Sequence, residues 1–194
     1  MSLTPSTMVK IGTKAPDFSL EDVTLGKNYS LSSFKDKKAL LVMFISRHCP
    51  YVQHIKKELS KLDKDYKDNN LGIVAISSND ATDYPEDAPE SLREMAKQED
   101  FKFPLLYDRE QEVAKTYRAA CTPDLFLYDQ KRELAYRGQL DDSRPGNNIS
   151  VTGKDLRQAI EEVLKDLPTS NIQKPSVGCN IKWRQGNEPD YFKH

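Results

Sequence analysis

The densest chemistry in the chain is the segment Ser46-Arg47-His48-Cys49-Pro50-Tyr51-Val52. An apolar run of strand length, residues 38–46, ends there, and an amphipathic helix begins within about three residues. Cys49 therefore falls at or beside a helix N-cap, where unpaired backbone N–H groups and the positive end of the helix dipole favour an anion. The dipole contributes on the order of 0.3–2 kcal/mol, which lowers a thiol pKa by a fraction of a unit to about one and a half. Arg47 and His48 add to this if they point inward. The thiolate is the nucleophilic form, so the position suits redox or thiol chemistry. A free cysteine at a buried strand end can also be a small apolar filler. The order strand, Cys-Pro, helix favours the reactive thiol.

The elements that must position it follow a simple alternation. Residues 38–46, 71–78 and 124–129 are continuous apolar runs of strand length, as expected for strands covered on both faces. Residues 133–138 follow the third run across the polar turn Asp129-Gln130-Lys131-Arg132, which predicts an antiparallel hairpin. Residues 103–107 offer a short further strand. From Pro50 onward, Val52, Ile55, Leu59, Leu62 and Tyr66 recur at helical spacing, and Pro50 suits a first helical position. Residues 89–99 carry Leu92, Met95 and Ala96 on one side. Asp108 can cap a short helix with Val113, Ala114 and Tyr117 inward. Thr152-x-x-Asp155 resembles a capping box before a helix that Pro168 stops. Residues 79–90, acidic and Pro-bearing, read as a surface loop. Residues 168–194 read as an irregular tail draped on the domain or partly mobile, and the N-terminal stretch can supply a small hairpin. The pattern predicts one α/β domain over residues 9–167, with a central mixed sheet and helices on both faces, followed by the tail 168–194.

Composition narrows the function classes. The chain has 194 residues with a formal net charge of −1, which suits one domain and lacks the basic footprint of a nucleic-acid binder. No apolar run reaches the roughly 18 residues of a membrane span, and the N-terminus has no signal-peptide stretch, so a cytoplasmic address is expected. Cys49, Cys121 and Cys179 are too few and too far apart for a disulfide scaffold. The His48-Cys49-x4-His54 spacing does not close a metal site, and His54 is expected to face solvent. Asp141-Asp142 reads as an Asp-capped connection rather than a cation site. No Gly-rich phosphate cradle occurs. No metal or cofactor is expected.

A second feature is Ala120-Cys121-Thr122-Pro123-Asp124, a tight entry turn to the strand at 124–129 that can hold a cis bond. With this in place the chain resembles the thioredoxin-fold, peroxiredoxin-like alkyl hydroperoxide reductase/thiol-specific antioxidant superfamily. The resemblance rests on Ile11-Gly-Thr-Lys-Ala-Pro-Asp-Phe-Ser-Leu20, on Cys49-Pro50 at the helix start, and on Phe103-Pro-Leu-Leu-Tyr-Asp108. It implies a three-layer α/β/α thioredoxin-like fold, a cis Thr122–Pro123 facing Cys49, and a substrate site formed by His48, Pro50, Thr122, Pro123 and Arg47. The C-P-Y-V segment departs from C-x-x-C, because Val52 stands in the fourth position. Val42 replaces the proline of typical peroxiredoxins, Met43 replaces the buried acid of thioredoxins, and Pro123 stands where the peroxiredoxin arginine falls. Arg118 or Arg47 could substitute for that arginine.

The resemblance implies a thiol-dependent oxidoreductase, either a peroxiredoxin-like antioxidant or a thiol-disulfide reductase. Cys49 is the redox nucleophile, acting on a peroxide or disulfide substrate with Ser46 offering its hydroxyl nearby. An oxidised Cys49 must be rescued by another thiol. Cys179, in the tail segment Gly178-Cys-Asn-Ile-Lys-Trp183, could be carried to it by tail motion, and Cys121 sits at the rim of the expected site. Failing both, an external thiol reductant, such as a thioredoxin or a low-molecular-weight thiol, is required. The alternative is a non-enzymatic thioredoxin-fold module that binds partners.

Overall fold

The computed structural model describes residues 3–192. In chain order the elements are β1 (Leu3–Pro5), β2 (Ser19–Glu21), β3 (Asn28–Ser30), β4 (Ala39–Phe44), α1 (Pro50–Tyr66), β5 (Leu71–Ser77), α2 (Pro89–Gln98), β6 (Leu105–Tyr107) and α3 (Glu112–Tyr117), followed by β7 (Cys121–Thr122), β8 (Asp124–Tyr128), β9 (Leu134–Arg137), α4 (Lys154–Leu164) and β10 (Val177–Asn180).

The apolar runs become the central sheet, in the order β6-β5-β4-β8-β9. β4 lies in its middle, parallel to β5 and antiparallel to β8, and all six of its residues are buried. Because side chains alternate along a strand, β4 feeds two cores. Leu41 and Met43 pack with Val52, Ile55 and Leu59 of α1 and with Leu156 and Ile160 of α4. Leu40, Val42 and Phe44 pack on the other face with Val113 and Tyr117 of α3 and with Ile181. The layers are helix, mixed sheet and helix, as expected. The hairpin β8–β9 is antiparallel, and β2 pairs with β3 as a small N-terminal hairpin.

Three local expectations are corrected. Residues 168–194 are not irregular throughout: β10 pairs with β1 on one side and β7 on the other, forming a second sheet of order β1-β10-β7. A strand of Val-Gly-Cys-Asn carries no period of its own; its two neighbours define it. The helix α4 is not opened by a Thr152–Asp155 capping box. Gly153 precedes it with φ 67°, and the buried Asp141 carboxylate accepts the Thr152 and Gly153 N–H groups at 2.7 and 2.6 Å. Residues 79–90 are not a simple surface loop, because Asn79 and Asp87 are buried, Asp87 fully. Asp108 does cap α3, accepting from the Ala114 N–H at 2.9 Å.

Candidate active site

The turn between β4 and α1 sets Cys49 as the N-cap of α1, with Pro50 in the first turn and the Cys49 carbonyl accepting the Gln53 N–H at 2.9 Å. Cys49 is 0% exposed. As a thiol it donates to the Thr122 carbonyl at 3.0 Å. Thr122–Pro123 is cis, and Thr122 stands in register with Cys179 across β7 and β10.

That register brings the two sulfurs together. The Cys179 thiol hydrogen-bonds to Cys49, and this, with the Val52 and Cys179 backbone N–H groups and the Thr122 side chain, outweighs burial and pulls the Cys49 thiol well below its ordinary range. Cys179 moves the opposite way, because its proton is held by the neighbouring sulfur and its surroundings are dry. Of the two sulfurs only Cys49 has the helix N-terminus behind it, which favours the charge on that side of the pair. No tail excursion is needed to bring Cys179 in, since β10 already holds it there.

Cys121 lies elsewhere. Its side chain alternates to the face opposite Thr122, where its sulfur points at the Pro123 carbonyl at 3.6 Å. Burial and the nearby Asp124 push its thiol up. It sits beside the fully buried Asp124–Arg137 pair, whose 3.1 Å contact is backed by the Ser6 hydroxyl donating to Asp124 at 2.9 Å. Arg118 is also remote, stacked over Tyr191 at 4.7 Å.

The polar neighbours of Cys49 are arranged differently from expectation. Ser46 does not serve the thiolate: its hydroxyl donates to Asp87 Oδ2 at 2.9 Å. Arg47 does not turn inward either, since its guanidinium donates to the Ser91 carbonyl at 2.7 Å and to Glu94 at 3.1 Å. Only its backbone N–H joins the site, donating to Asp87 Oδ1 at 2.5 Å. His48 Nδ1 lies 2.7 Å from Asp87 Oδ2 and its ring stacks on Tyr84 at 5.3 Å between centroids. That hydrogen bond outweighs burial and raises the His48 pKa above its ordinary value. Burial opposes the Asp87 charge, but His48, Asn79 and Ser46 together hold its carboxyl below the usual value. His54 is half-buried and bonded to the Ser143 hydroxyl at 2.6 Å rather than facing solvent.

Sequence reasoning missed Asp87, Asn79 and Lys182. Asn79 donates to Asp87 at 2.6 Å and accepts the Lys182 backbone N–H at 2.8 Å. The Lys182 ammonium donates to the Asn180 carbonyl at 2.9 Å and lies over the Tyr84 ring at 5.7 Å. The one sequence signal was Lys182 itself, a cation three residues past a cysteine. Among the described residues no group of three or more His, Cys, Asp or Glu side chains is placed to hold a metal, and no helix is long and apolar enough to cross a membrane.

Comparison with known proteins fits this geometry. The AhpC/TSA family profile matches residues 11–137. The chain belongs to the AhpC/TSA family. It is 27% identical over 159 residues to the thiol-disulfide oxidoreductase ResA of Bacillus thuringiensis subsp. konkukian, covering 82% of this chain and 79% of the relative. The crystal structure of the hypothetical protein SMc02350 from Sinorhizobium meliloti superposes with a TM-score of 0.93 at 50% identity, over 94% of this chain and 100% of that one. Peroxidoxin BcpB of Mycobacterium tuberculosis shares the fold, with a TM-score of 0.61 at 19% identity over 84% of this chain and 100% of that one. Membership of AhpC/TSA, with relatives that are thiol-disulfide oxidoreductases and peroxiredoxins, makes the chain a thioredoxin-fold enzyme of the oxidoreductase class.

Proposed function

We propose that the protein is a thiol-dependent oxidoreductase in which Cys49 and Cys179 cycle between a dithiol and an intramolecular disulfide. The observation that carries this is the hydrogen bond between the two thiols at the N-terminus of α1. Cys49 is the nucleophile, because only its sulfur has the helix N-terminus behind it. With a hydroperoxide, the Cys49 thiolate attacks one oxygen, the O–O bond breaks, and a sulfenic acid and an alcohol form. The Cys179 sulfur then attacks Cys49, the S–S bond forms, and water leaves. An external thiol, a thioredoxin or a low-molecular-weight thiol, restores the dithiol by exchange.

The oxidant on this reading is small. β10 occupies the hydrogen-bonding edge of β7 beside Thr122 and Pro123, so an extended polypeptide has no edge to join there. Hydroperoxides and low-molecular-weight disulfides remain. The cytoplasmic address belongs to the same proposal, since a reducing compartment supplies the regenerating thiol. On this reading the functional unit includes β10, beyond residues 9–167, because that strand carries Cys179.

One observation favours the alternative, a partner-binding module: Cys49 and Cys179 are only 0% and 3% exposed. Stoichiometric oxidation by hydrogen peroxide, or in a second arm by oxidised glutathione, followed by peptide mapping separates the two. A 49–179 disulfide that dithiothreitol or thioredoxin reverses supports the enzyme. Slow and equal labelling of all three cysteines by a sulfenic-acid probe, with no 49–179 bond, supports the binding module.

A further inference from the structure

The dithiol is flanked by a second buried unit that the reaction above does not use. Asp87, with 0% exposure, is a carboxylate inside a dry site, and four donors converge on it: the Ser46 hydroxyl at 2.9 Å, the Arg47 N–H at 2.5 Å, His48 Nδ1 at 2.7 Å and the Asn79 amide at 2.6 Å. A buried carboxylate is costly unless it is paired and hydrogen-bonded this fully. Two of its links lead toward the sulfurs. His48 is the residue before Cys49. Asn79 passes the connection to the Lys182 backbone at 2.8 Å, three residues beyond Cys179. Tyr84 closes the unit from outside, carrying the His48 ring on one contact and the Lys182 ammonium on another, at 5.3 and 5.7 Å.

We propose that His48, fixed by the positioning residue Asp87, moves the protons of the Cys49–Cys179 couple. The inference rests on the reading that these two cysteines form the redox couple. Nδ1 is committed to Asp87, which leaves Nε2 to exchange protons. In the reduced protein the pair is an imidazolium beside a carboxylate, with Cys49 as thiolate and Cys179 as thiol. When the thiolate attacks a hydroperoxide, the departing alkoxide takes the His48 proton and leaves as alcohol. His48, now neutral, accepts the Cys179 proton as that sulfur attacks the sulfenic acid. It returns the proton to the departing hydroxide, which leaves as water. Electrons and protons balance: two thiol sulfurs are oxidised, the peroxide is reduced, and His48 regains its proton from solvent.

The charged groups acting on His48 are Asp87 from the 79–90 segment, Lys182 from the segment after β10, and Cys49 itself. Asp87 and the Cys49 thiolate favour the imidazolium, and Lys182 opposes it. Loss of the Cys49 charge in the first step therefore lowers the proton affinity of His48 as the proton must leave.

The test uses the full-length protein from pH 5 to 9. Hydrogen peroxide oxidation is stopped by acid quench, and the 49–179 disulfide is quantified by peptide mapping. Iodoacetamide alkylation reads the Cys49 thiolate fraction separately. Divided by that fraction, the wild-type rate is expected to fall as pH rises through the raised His48 pKa. His48→Gln keeps a donor for Asp87 but carries no exchangeable acid, so its rate should lose that fall and drop by about 100-fold. Asp87→Asn should shift the fall to lower pH. In both variants the same disulfide forms given time. A His48→Gln protein with the wild-type rate and pH profile overturns the proposal while leaving the redox couple standing. A wild type that forms no 49–179 disulfide overturns both.

Discussion

Thr122 and Cys179 are cross-strand neighbours between β7 and β10, and the Thr122 carbonyl receives the Cys49 thiol at 3.0 Å. One peptide unit thus sets the height of both sulfurs. The position of Cys179 is a property of strand register, not of a side-chain search.

If Cys179 supplies the proton that stabilises the Cys49 thiolate, Cys179→Ala should raise the Cys49 pKa. A hydrogen bond to a charged group is worth about 1.5–3 kcal/mol, or about one to two pH units. The pH dependence of iodoacetamide alkylation measures it. The helix N-terminus remains, so the pKa should still lie below that of Cys121.

Gly178 should tolerate no side chain. A Cβ there would meet the Thr122 carbonyl oxygen at 2.0 Å, with backbone on both sides of the clash. Gly178→Ala should push β10 off β7 at a cost of about 1–3 kcal/mol. It should also open Cys49 to bulky thiol reagents. Urea titration and the rate of reaction with a nitrobenzoate disulfide give the two readouts. A variant with wild-type stability and a still shielded Cys49 would contradict the packing described.

Cys121→Ala should leave formation of the 49–179 disulfide unchanged, because the Cys121 sulfur faces the other side of β7. Its loss from a filled site should cost about 1 kcal/mol of stability. Peptide mapping after oxidation, alongside urea melts, checks both.

The His48–Asp87 pair gives a stability signature with a definite sign. The carboxyl is lowered from 3.8 and the imidazole raised from 6.5. The Asp87 contribution is present above about pH 3.8 and fades as pH falls through its lower native value. The His48 contribution is complete below about pH 6.5 and fades as pH rises through its higher native value. Asp87→Asn should therefore cost the most, about 2 kcal/mol, between these limits. The penalty should shrink in more alkaline buffer. Urea titrations at a series of pH values measure it.

Arg137→Met leaves Asp124 fully buried without its cation, and should cost about 3–5 kcal/mol. The Cys49 thiol lies outside this pair, so its alkylation profile should hold in the folded fraction.

What could be read from the sequence was what short segments determine. Residues 38–46 announce a central strand by continuous apolarity, α1 shows its stripe from Val52 to Tyr66, and Pro50 marks the turn that puts Cys49 on a helix end. Thr122-Pro123 was legible for the same reason. Asp87 was not, because an acid among prolines looks like a surface turn until distant Ser46, His48 and Asn79 supply its donors. β10 was invisible because glycine and asparagine fill half of it, and only β1 and β7 make it a strand. Ser46 and Arg47 were seen as residues of the site but assigned the wrong partner, since side-chain direction depends on what the 79–90 segment and α2 present.

The β1-β10-β7 sheet fixes the order in which the site can be completed. Residues leave a ribosome from the N-terminal end, at about 5–20 per second. The peptide that carries Cys179 is made well after the one that carries Cys49, by on the order of ten seconds at those rates. Throughout that interval a nascent chain holds the Cys49 sulfur without the strand that carries Cys179 against it. Cys49 therefore becomes shielded from solvent only when β10 is seated against β7.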